Sequence, residues 1–598
     1  MRDTEIRNLA EQVKSGRLPR RHFIQRMAAL GLSAPLAGML LTHHGVAFAQ
    51  PSVQYRPKKA GTGGPLKILQ WQGPTMLNPH LSGGSKDWHA SNVFYEALAG
   101  WDMDGNLVPI LAAEIPSLEN GGVAKNLLSV TWKLKRGVTW HDGTPFTADD
   151  CVFTHAYAAD PATSAYSMGA YRDIKIEKVD SHTIKLVFSQ PTPFWADAFV
   201  GSRGMVLPKH LFEKYKGARS REAPNNLKPV GTGPYTFVDF KPGDLLLGKM
   251  NPNYHVLNQP HFDSIEMKGG GDAASAARAV MQTGDYDMVW NMQLEDAIIS
   301  RMEAVGRGKV EVVPGGNIEH IAINFSDPWR EVDGERSSVK SVHPILSDKA
   351  VRQALNLLLD RDSIQKAIYG RGGDATANFV NAPQRFASKA TRWEFNPAKA
   401  MALLDEAGWK RGAGGVREKN GKKLSLVFQT ASNSLRNKTQ VVYKQACEQA
   451  GIAMELKSVD SAVFFSSDPG NPDTFTRFSV DLQMFTSSLS QPDPALFMQQ
   501  FLPDQVSAKS NKWLGRNVTR WVSKDYEAVF DQAAVEPDPA KRAAQLIKLN
   551  DMVINDVVVI PVVVRKILAG SHKHLQTRLS SWDTYLWNLA GWYRADKV

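Results

Sequence analysis

An α/β protein of several domain-sized units is what the sequence predicts, and three observations predict it. The chain has 598 residues, 43% of them hydrophobic and 22% charged. At about 100–200 residues per domain this suggests three or more units. Segments alternating apolar and polar residues recur among segments with helical spacing from end to end. No fixed-period repeat and no low-complexity stretch interrupts them.

The elements follow in order. Leu66-Lys67-Ile68-Leu69 opens the fold as a strand after a Pro/Lys/Gly leader ending at Pro65. Val130, Trp132 and Leu134 alternate with polar residues, as do Ile184, Leu186 and Phe188, so both segments read as half-buried strands. Between them Thr147-Ala148-Asp149-Asp150 starts a helix: the threonine caps free N–H groups and the acidic first turn suits the helix dipole. Later the pattern shifts toward helices. Ser347 is positioned to cap one whose Val351, Ala354, Leu355, Leu358 and Leu359 share a face. Asn396-Pro397 opens another that stops at Gly408, and Asp538-Pro539 opens a third. Val557 to Val564 reads as a buried strand.

The first 49 residues read as an address rather than as fold. Arg20-Arg21-His22-Phe23-Ile24 is a twin-arginine pattern, Met27 to Leu41 carries no charge, and Ala47-Phe48-Ala49 offers a small-x-small cleavage site. Fifteen uncharged residues are too few for a bilayer, which needs about 20. Export of an already folded chain through the twin-arginine pathway is expected, most simply into a bacterial periplasm without stable membrane insertion. The address takes seven basic and three acidic residues with it. That leaves 64 basic against 57 acidic groups over 549 residues, a surplus of seven. With no long basic block, a nucleic-acid partner is excluded. Cys151 and Cys447 both sit in helix-like contexts, and buried free thiols are favoured over a disulfide.

A search for chemistry yields little. No G-x-S-x-G, H-E-x-x-H, C-x-x-C or G-x-x-x-x-G-K-[ST] pattern occurs. Gly231-Thr232-Gly233-Pro234 reads as a turn, because proline follows the glycines. His572 and His574 would share one face of a strand, but two imidazoles alone make a weak metal site. No catalytic residue, metal or cofactor is expected, which favours a binding protein. An exported hydrolase with a dispersed site stays open. The 15 Trp, 14 Tyr and 25 Phe suit a ligand pocket or a large core equally well.

Four ordered blocks carry a resemblance. The first is Trp132 through Asp150, reading WKLKRGVTWHDGTPFTADD. The second is Gly231-Thr232-Gly233-Pro234-Tyr235 with Asn251-Pro252-Asn253-Tyr254. The third is Leu346-Ser347-Asp348 with Val351-Arg352-Gln353-Ala354-Leu355 and Asp360-Arg361; the last is Asn517-Val518-Thr519-Arg520-Trp521 before Tyr526 and Asp531. Over about residues 65–598 this resembles the family 5 extracellular solute-binding proteins, the peptide and nickel receptors of ABC importers.

The resemblance implies a two-lobed periplasmic binding protein fold of the large α/β kind, with an inserted domain and discontinuous lobes joined by a hinge. On that pattern lobe I comprises 65–108, 232–323 and 560–598, the inserted domain 109–231, and lobe II 324–559. The implied partners are a small or peptide-like solute and the transmembrane subunits of a permease, with the receptor a monomer. A chemoreceptor or another non-transport binder on the same fold remains an alternative.

Candidate ligand contacts are Trp71, Ser82, Gly83, Gly84 and Ser85 from the first lobe. From the second they are Asn324, Phe325, Asn433, Phe485, Thr486, Ser488 and Asp493. Trp71 and Phe485 are equally compatible with core positions, Gly83-Gly84 with a plain turn, and Asp493 better with a helix cap. Peptide-binding members place an aspartate where Ser488 stands, and dipeptide-type members an arginine in the loop matching Thr430 to Ser434. Arg436 lies several residues beyond that place. A buried ammonium without a carboxylate costs several kcal/mol, about the penalty of any unpaired buried charge. The Ser/Thr/Asn-rich replacements therefore suit a hydroxyl-rich or neutral ligand, and a non-standard one is expected: sugar-like, opine-like or a modified peptide.

Overall fold

The computed structural model describes residues 58–597, together with Leu9, Gln12 and Phe23. But for those three residues, the export signal expected over 1–49 lies outside the described residues. One sheet of eleven strands runs through the molecule and organises it. From one edge its order is Ala453–Val459, Ser425–Ala431, Leu482–Ser487, then the two long strands Gly308–Ile323 and Val559–His572. It continues through Met288–Val289, Pro65–Leu69, Ser264–Lys268, Leu245–Met250 and Tyr235–Lys241. Gly373–Ala375 pairs off this path with Val559–His572.

The long strands, antiparallel to each other, join the two lobes. Ile318–Ile323 pairs with Leu482–Ser487 on one side, while Met288 and Val289 pair with Ser571 and Gly570 on the other. Their mutual register shifts between Val313 and Asn317 and again between Glu319 and His320. Such irregularities bend a strand and re-aim its side chains. Pairing places the crossing near 313–317 and 565–567, whereas the sequence-based boundaries stand at 323/324 and 559/560. Residues 318–323 and 560–564 are thus strand partners of the second lobe. Apolar patterning marks such residues as buried but does not say which half of a long strand serves which lobe.

Ser129–Lys133, Thr183–Phe188 and Ile174–Asp180 form a separate antiparallel sheet within the inserted region. Beside it lies the helix Ala148–Ala159, closed at its start by a reciprocal cap between Thr147 and Asp150. Leu134 falls just beyond the first of these strands and bridges Ala112. The later helices also start as the capping residues require, with one correction. Asn396 and Asp538 cap as expected, but Asp348, not Ser347, caps Lys349–Leu357. Its carboxylate accepts from the Ala350 amide at 3.0 Å and from the Trp409 indole at 3.0 Å, which a serine in the preceding position does not match. Cys151 and Cys447 are buried and free.

The recognisable motifs converge on scaffold. Glu96, buried, accepts from Thr232 Oγ1 (2.9 Å), the Tyr254 hydroxyl (2.8 Å) and His255 Nε2 (2.9 Å). Asn251 Nδ2 donates to the Gly233 carbonyl, and His141 of the first block hydrogen-bonds both Gly231 N and Gly233 O. Arg361 of the third block donates to the Pro561 carbonyl, and Trp521 of the last block to Asp556 Oδ2. Trp132, Trp140 and Trp592 are fully buried in the core.

Two outcomes are expected. A Cβ at Gly231 would stand 1.8 Å from the Phe94 carbonyl oxygen. Gly231→Ala should therefore destabilise by about 3 kcal/mol, the upper end of overpacking costs, read as a lower urea midpoint. Ellman's reagent should find almost no reactive thiol in the native protein and two per chain in guanidinium, consistent with two buried free cysteines.

Candidate functional site

Between the lobes lies a cleft whose walls come from every part of the chain. On the first lobe Gly84 caps the short helix Ser85–Ser91, which turns Lys86, Trp88 and His89 toward the opening. His89 packs edge-on against Trp290 and Tyr585, and burial lowers its pKa to about 3, so it is neutral at ordinary pH. Lys86 is tied to Asp87 at 2.8 Å. The inserted domain adds Tyr166 and Arg203, and the C-terminal segment adds residues 581–585. The second lobe supplies the end of the strand Leu482–Ser487, the loop 488–490, Phe465, Phe475, Arg436 and Arg516. The crossing strands contribute Asn317 and residues 565–567.

The lobes meet around this cleft. Gln72 Nε2 approaches Ser461 Oγ at 3.4 Å, Ser467 Oγ approaches Asp87 Oδ2 at 3.4 Å, and Gln491 Nε2 donates to Asp197 Oδ1 at 2.6 Å. Lys438 pairs with Glu295 at 2.7 Å.

One buried carboxylate anchors the inner wall. Glu319 projects from a crossing strand and is clamped by Arg436, whose Nε and Nη2 donate at 2.7 and 3.2 Å. The Thr486 hydroxyl donates to it at 2.6 Å, and Arg565 Nη1 stands 3.7 Å away. Arg565 also donates to Thr486 Oγ1 and Asn291 Oδ1, each at 3.1 Å. Burial pushes the Glu319 carboxyl up, but the Arg436 and Arg565 charges and the hydrogen bonds outweigh it, and the pKa is lowered. Two guanidiniums share one carboxylate, leaving a net positive charge at the wall.

Of the residues chosen from sequence, Gly83, Gly84, Ser85, Phe485, Thr486 and Ser488 line the cleft. The other six are placed elsewhere. Trp71 stands behind the wall, donating its indole N–H to the Asn291 carbonyl at 3.1 Å. Ser82 is buried and donates to the Asn78 carbonyl. Asn324 spends its amide on Ser337 Oγ and the Phe478 and Val480 carbonyls. Phe325 lies under the Arg352 guanidinium, 4.6 Å from it. Asn433 caps the helix Ser434–Gln449. Asp493 caps the turn at Ala495 and is ion-paired with Arg542, whose Nη2 lies at 2.9 Å. In five of these a polar or aromatic group that looked available is satisfied by neighbouring chain; Asn433 spends only its Oδ1 on the helix cap, and its buried Nδ2 has no hydrogen-bond partner among the described residues.

The hydroxyls expected from sequence are present, Ser488 among them. Beside them, however, the lining holds Lys86, Arg203, Arg436, Arg516, Arg565 and Lys566. Its one acid is Asp583, whose pKa burial raises to about 7. The hydroxyl-rich or neutral ligand expected from the replacements at Ser488 and in the loop Thr430 to Ser434 therefore covers only part of what the lining offers. Glu319 and Arg565 carried a usable signal: Glu319 lies within the mostly apolar stretch 318–323 and Arg565 directly follows the apolar run 557–564, so each takes a charge into a buried part of its strand where it needs a partner. Arg203 ends the short 3-10 turn Gly201–Arg203 and Arg516 sits in a loop, neither with such a pattern. His572 and His574 stand 5.5 Å apart, and among the described residues no cluster of three or more His, Cys, Asp or Glu is placed to hold a metal.

Glu319→Gln should cost roughly 3–5 kcal/mol in urea unfolding at neutral pH, because it leaves two buried guanidiniums without their anion. Since the folded pKa is lowered, the carboxylate's contribution is present above its ordinary value of about 4.5 and is lost as pH falls through the folded value. Stability of the parent protein should fall in acid more steeply than that of the variant.

The sequence model of the bacterial extracellular solute-binding proteins, family 5, middle region, matches residues 106–509. The oligopeptide-binding protein AppA of Bacillus subtilis (strain 168) is 29% identical over 429 residues, 69% of this chain and 73% of that protein. The glutathione-binding protein GsiB of Shigella boydii serotype 4 (strain Sb227) is 23% identical over 505 residues, covering 84% and 89%. The structure of Bacillus subtilis AppA in complex with a nonapeptide superposes with a TM-score of 0.77 at 23% identity, covering 90% of this chain and 100% of that one. That of NikZ from Campylobacter jejuni in complex with Ni(L-His) gives 0.73 at 23%, covering 88% and 99%. No helix among the described residues is long and apolar enough to cross a membrane. With a cleft walled by two lobes, and with the family's model matched over more than half its length, this chain belongs to the bacterial extracellular solute-binding proteins, family 5.

Proposed function

We propose that the protein is the substrate-binding receptor of an ABC importer, which captures a peptide-like or other small polar solute by lobe closure and hands it unchanged to the transmembrane permease. The observation that carries this reading is the cleft itself. Residues of both lobes and of both crossing strands line it, so a solute bound there touches groups whose separation changes with the hinge. A ligand that contacts both lobes binds the closed arrangement better than the open one and shifts a pre-existing equilibrium toward it. Aromatic faces from Trp88, Trp290, Phe485 and Tyr585 supply apolar area, and fixed polar groups supply orientation.

The name of AppA gives an oligopeptide, that of GsiB glutathione, and NikZ was solved with Ni(L-His). A small, polar, peptide-like solute is the class these share. In this reading the first 49 residues route the folded chain through the twin-arginine pathway and are removed after Ala49. The mature protein then works as a periplasmic monomer.

Native mass spectrometry of the mature chain, purified from the periplasm, tests the proposal. A small solute should co-purify, and X-ray scattering should show a smaller radius of gyration with solute than after its removal by partial unfolding and refolding. The solute should be recovered chemically intact after prolonged incubation. Chemical conversion, or a radius indifferent to the solute, would overturn the receptor reading.

A further inference from the structure

Resting on the receptor reading above, we propose that the cleft selects an anionic solute and seats one acidic oxygen group between Arg203 of the inserted domain and Arg516 of the second lobe, against the Tyr166 ring. Both arginines line the cleft and both are buried, 7% and 8% exposed. The two guanidiniums share one aromatic neighbour: Arg203 lies 5.4 Å and Arg516 5.9 Å from the Tyr166 ring centre. Arg203 also stands 5.2 Å from the Trp88 ring. Aromatic faces orient a guanidinium without consuming its N–H donors.

Those donors are under-used. Among the described residues the Arg203 side chain has no hydrogen-bond acceptor, and its buried Nε is unpartnered. Arg516 donates Nη1 to the Leu496 carbonyl at 2.7 Å and also interacts with the Tyr166 hydroxyl, while its Nε is likewise buried and unpartnered. The carboxylate that acts on both is Asp197, yet it accepts its hydrogen bond from Gln491. Burial, with the Asp493 charge beside it, raises the Asp197 pKa to about 7, so it neutralises the pair only in part. Asp493 itself is committed to Arg542.

A planar fork of N–H donors matches the two oxygens of a carboxylate or a phosphate. Such a group between Arg203 and Arg516 gains hydrogen bonds from both sides of the cleft and relieves the repulsion of two like charges. The one acid in the lining is Asp583, whose pKa burial raises to about 7, so the cleft asks for negative charge more than for positive.

Three probes test this at constant ionic strength: N-acetyl-glutamyl-glutamate, its neutral counterpart N-acetyl-glutaminyl-glutamine amide, and N-acetyl-O-phosphoserine amide. Thermal shift and calorimetry are read on the mature protein and on Arg203→Gln, chosen because this side chain carries no hydrogen bond of the fold. An acidic probe should bind and stabilise the parent while the neutral one does not. Arg203→Gln should weaken the acidic probe about tenfold or more, the usual worth of a charge-assisted hydrogen bond. Arg203→Lys, which keeps the charge and loses the fork, should fall between the two and serves as the folding control. Stronger binding of the glutamyl probe assigns a carboxylate, and stronger binding of the phosphoserine probe a phosphate. No acid-dependent binding, equal binding of acidic and neutral probes, or an unaffected Arg203→Gln variant would each overturn the inference. A neutral solute that closes the lobes would overturn it too, while leaving the receptor reading standing.

Discussion

The burial of the Glu319 carboxylate where the lobes join is the constraint on which the rest of the structure depends. An ion in that position is tolerable only with partners in near-ideal geometry, since an uncompensated buried charge costs several kcal/mol, about 3–5 when one partner is removed. The partners come from three places: Arg436 from a helix of the second lobe, Arg565 from the other crossing strand, and Thr486 from the strand alongside. Satisfying one carboxylate therefore fixes the relative placement of the helix Ser434–Gln449 and both long strands. The register shift beside Glu319 is where the strand re-aims its side chains to make this possible. The wall of the cleft and the start of the hinge are thus one polar network, and a solute touching Arg436 or Arg565 touches the hinge.

The fold was legible to the extent that local chemistry dictates it. Caps at Thr147, Asn396 and Asp538 sit where a short polar side chain must satisfy free amides, and the alternation around Trp132 and Ile184 is a direct imprint of one buried sheet face. The blocks that carry the family resemblance are legible for the same reason. Glu96 binds Thr232, Tyr254 and His255 into one knot, and Arg361 and Trp521 secure the second lobe to the strand Val559–His572 and to the turn before it. These motifs specify the frame. Among the motif residues none lines the cleft, so recognising the family says what holds the lobes together and little about what they hold.

The site was harder to read because its residues are adjacent only in space. Asn324, Asn433 and Asp493 had the right chemistry at plausible places, but each serves the backbone of its own neighbourhood. Arg203 and Arg516 are separated by more than three hundred positions, and no spacing rule connects them. What sequence did offer was a charge set into the mostly apolar part of each crossing strand, Glu319 and Arg565. A charge in such a strand must have a partner, and the partners of these two form the cleft wall. The replacement at Ser488, read with the Ser/Thr/Asn-rich loop 430–434, suggested a hydroxyl-rich or neutral ligand. Its meaning changes once the cations around it are counted with it.

That change bears on how closure is controlled. The contacts joining the lobes around the cleft are few: the buried pairs Gln72–Ser461 and Asp87–Ser467 stand at 3.4 Å, long for hydrogen bonds, Gln491 donates to Asp197 at 2.6 Å, and the part-exposed Lys438–Glu295 ion pair is worth about 0–1 kcal/mol. They steady a closed arrangement without committing the protein to it. Against them stands the gathering of like charge inside: Arg203 and Arg516 line the cleft from opposite walls and are both buried, so on the proposed reading closure would bring positive potential together where it is poorly screened. A ligand shifts a two-state equilibrium only by its differential affinity for the two states. A group that cancels this repulsion in the closed state, and has little to cancel in the open one, supplies that difference in the most direct way. The same arrangement that penalises closure over solvent alone would make closure report the ligand.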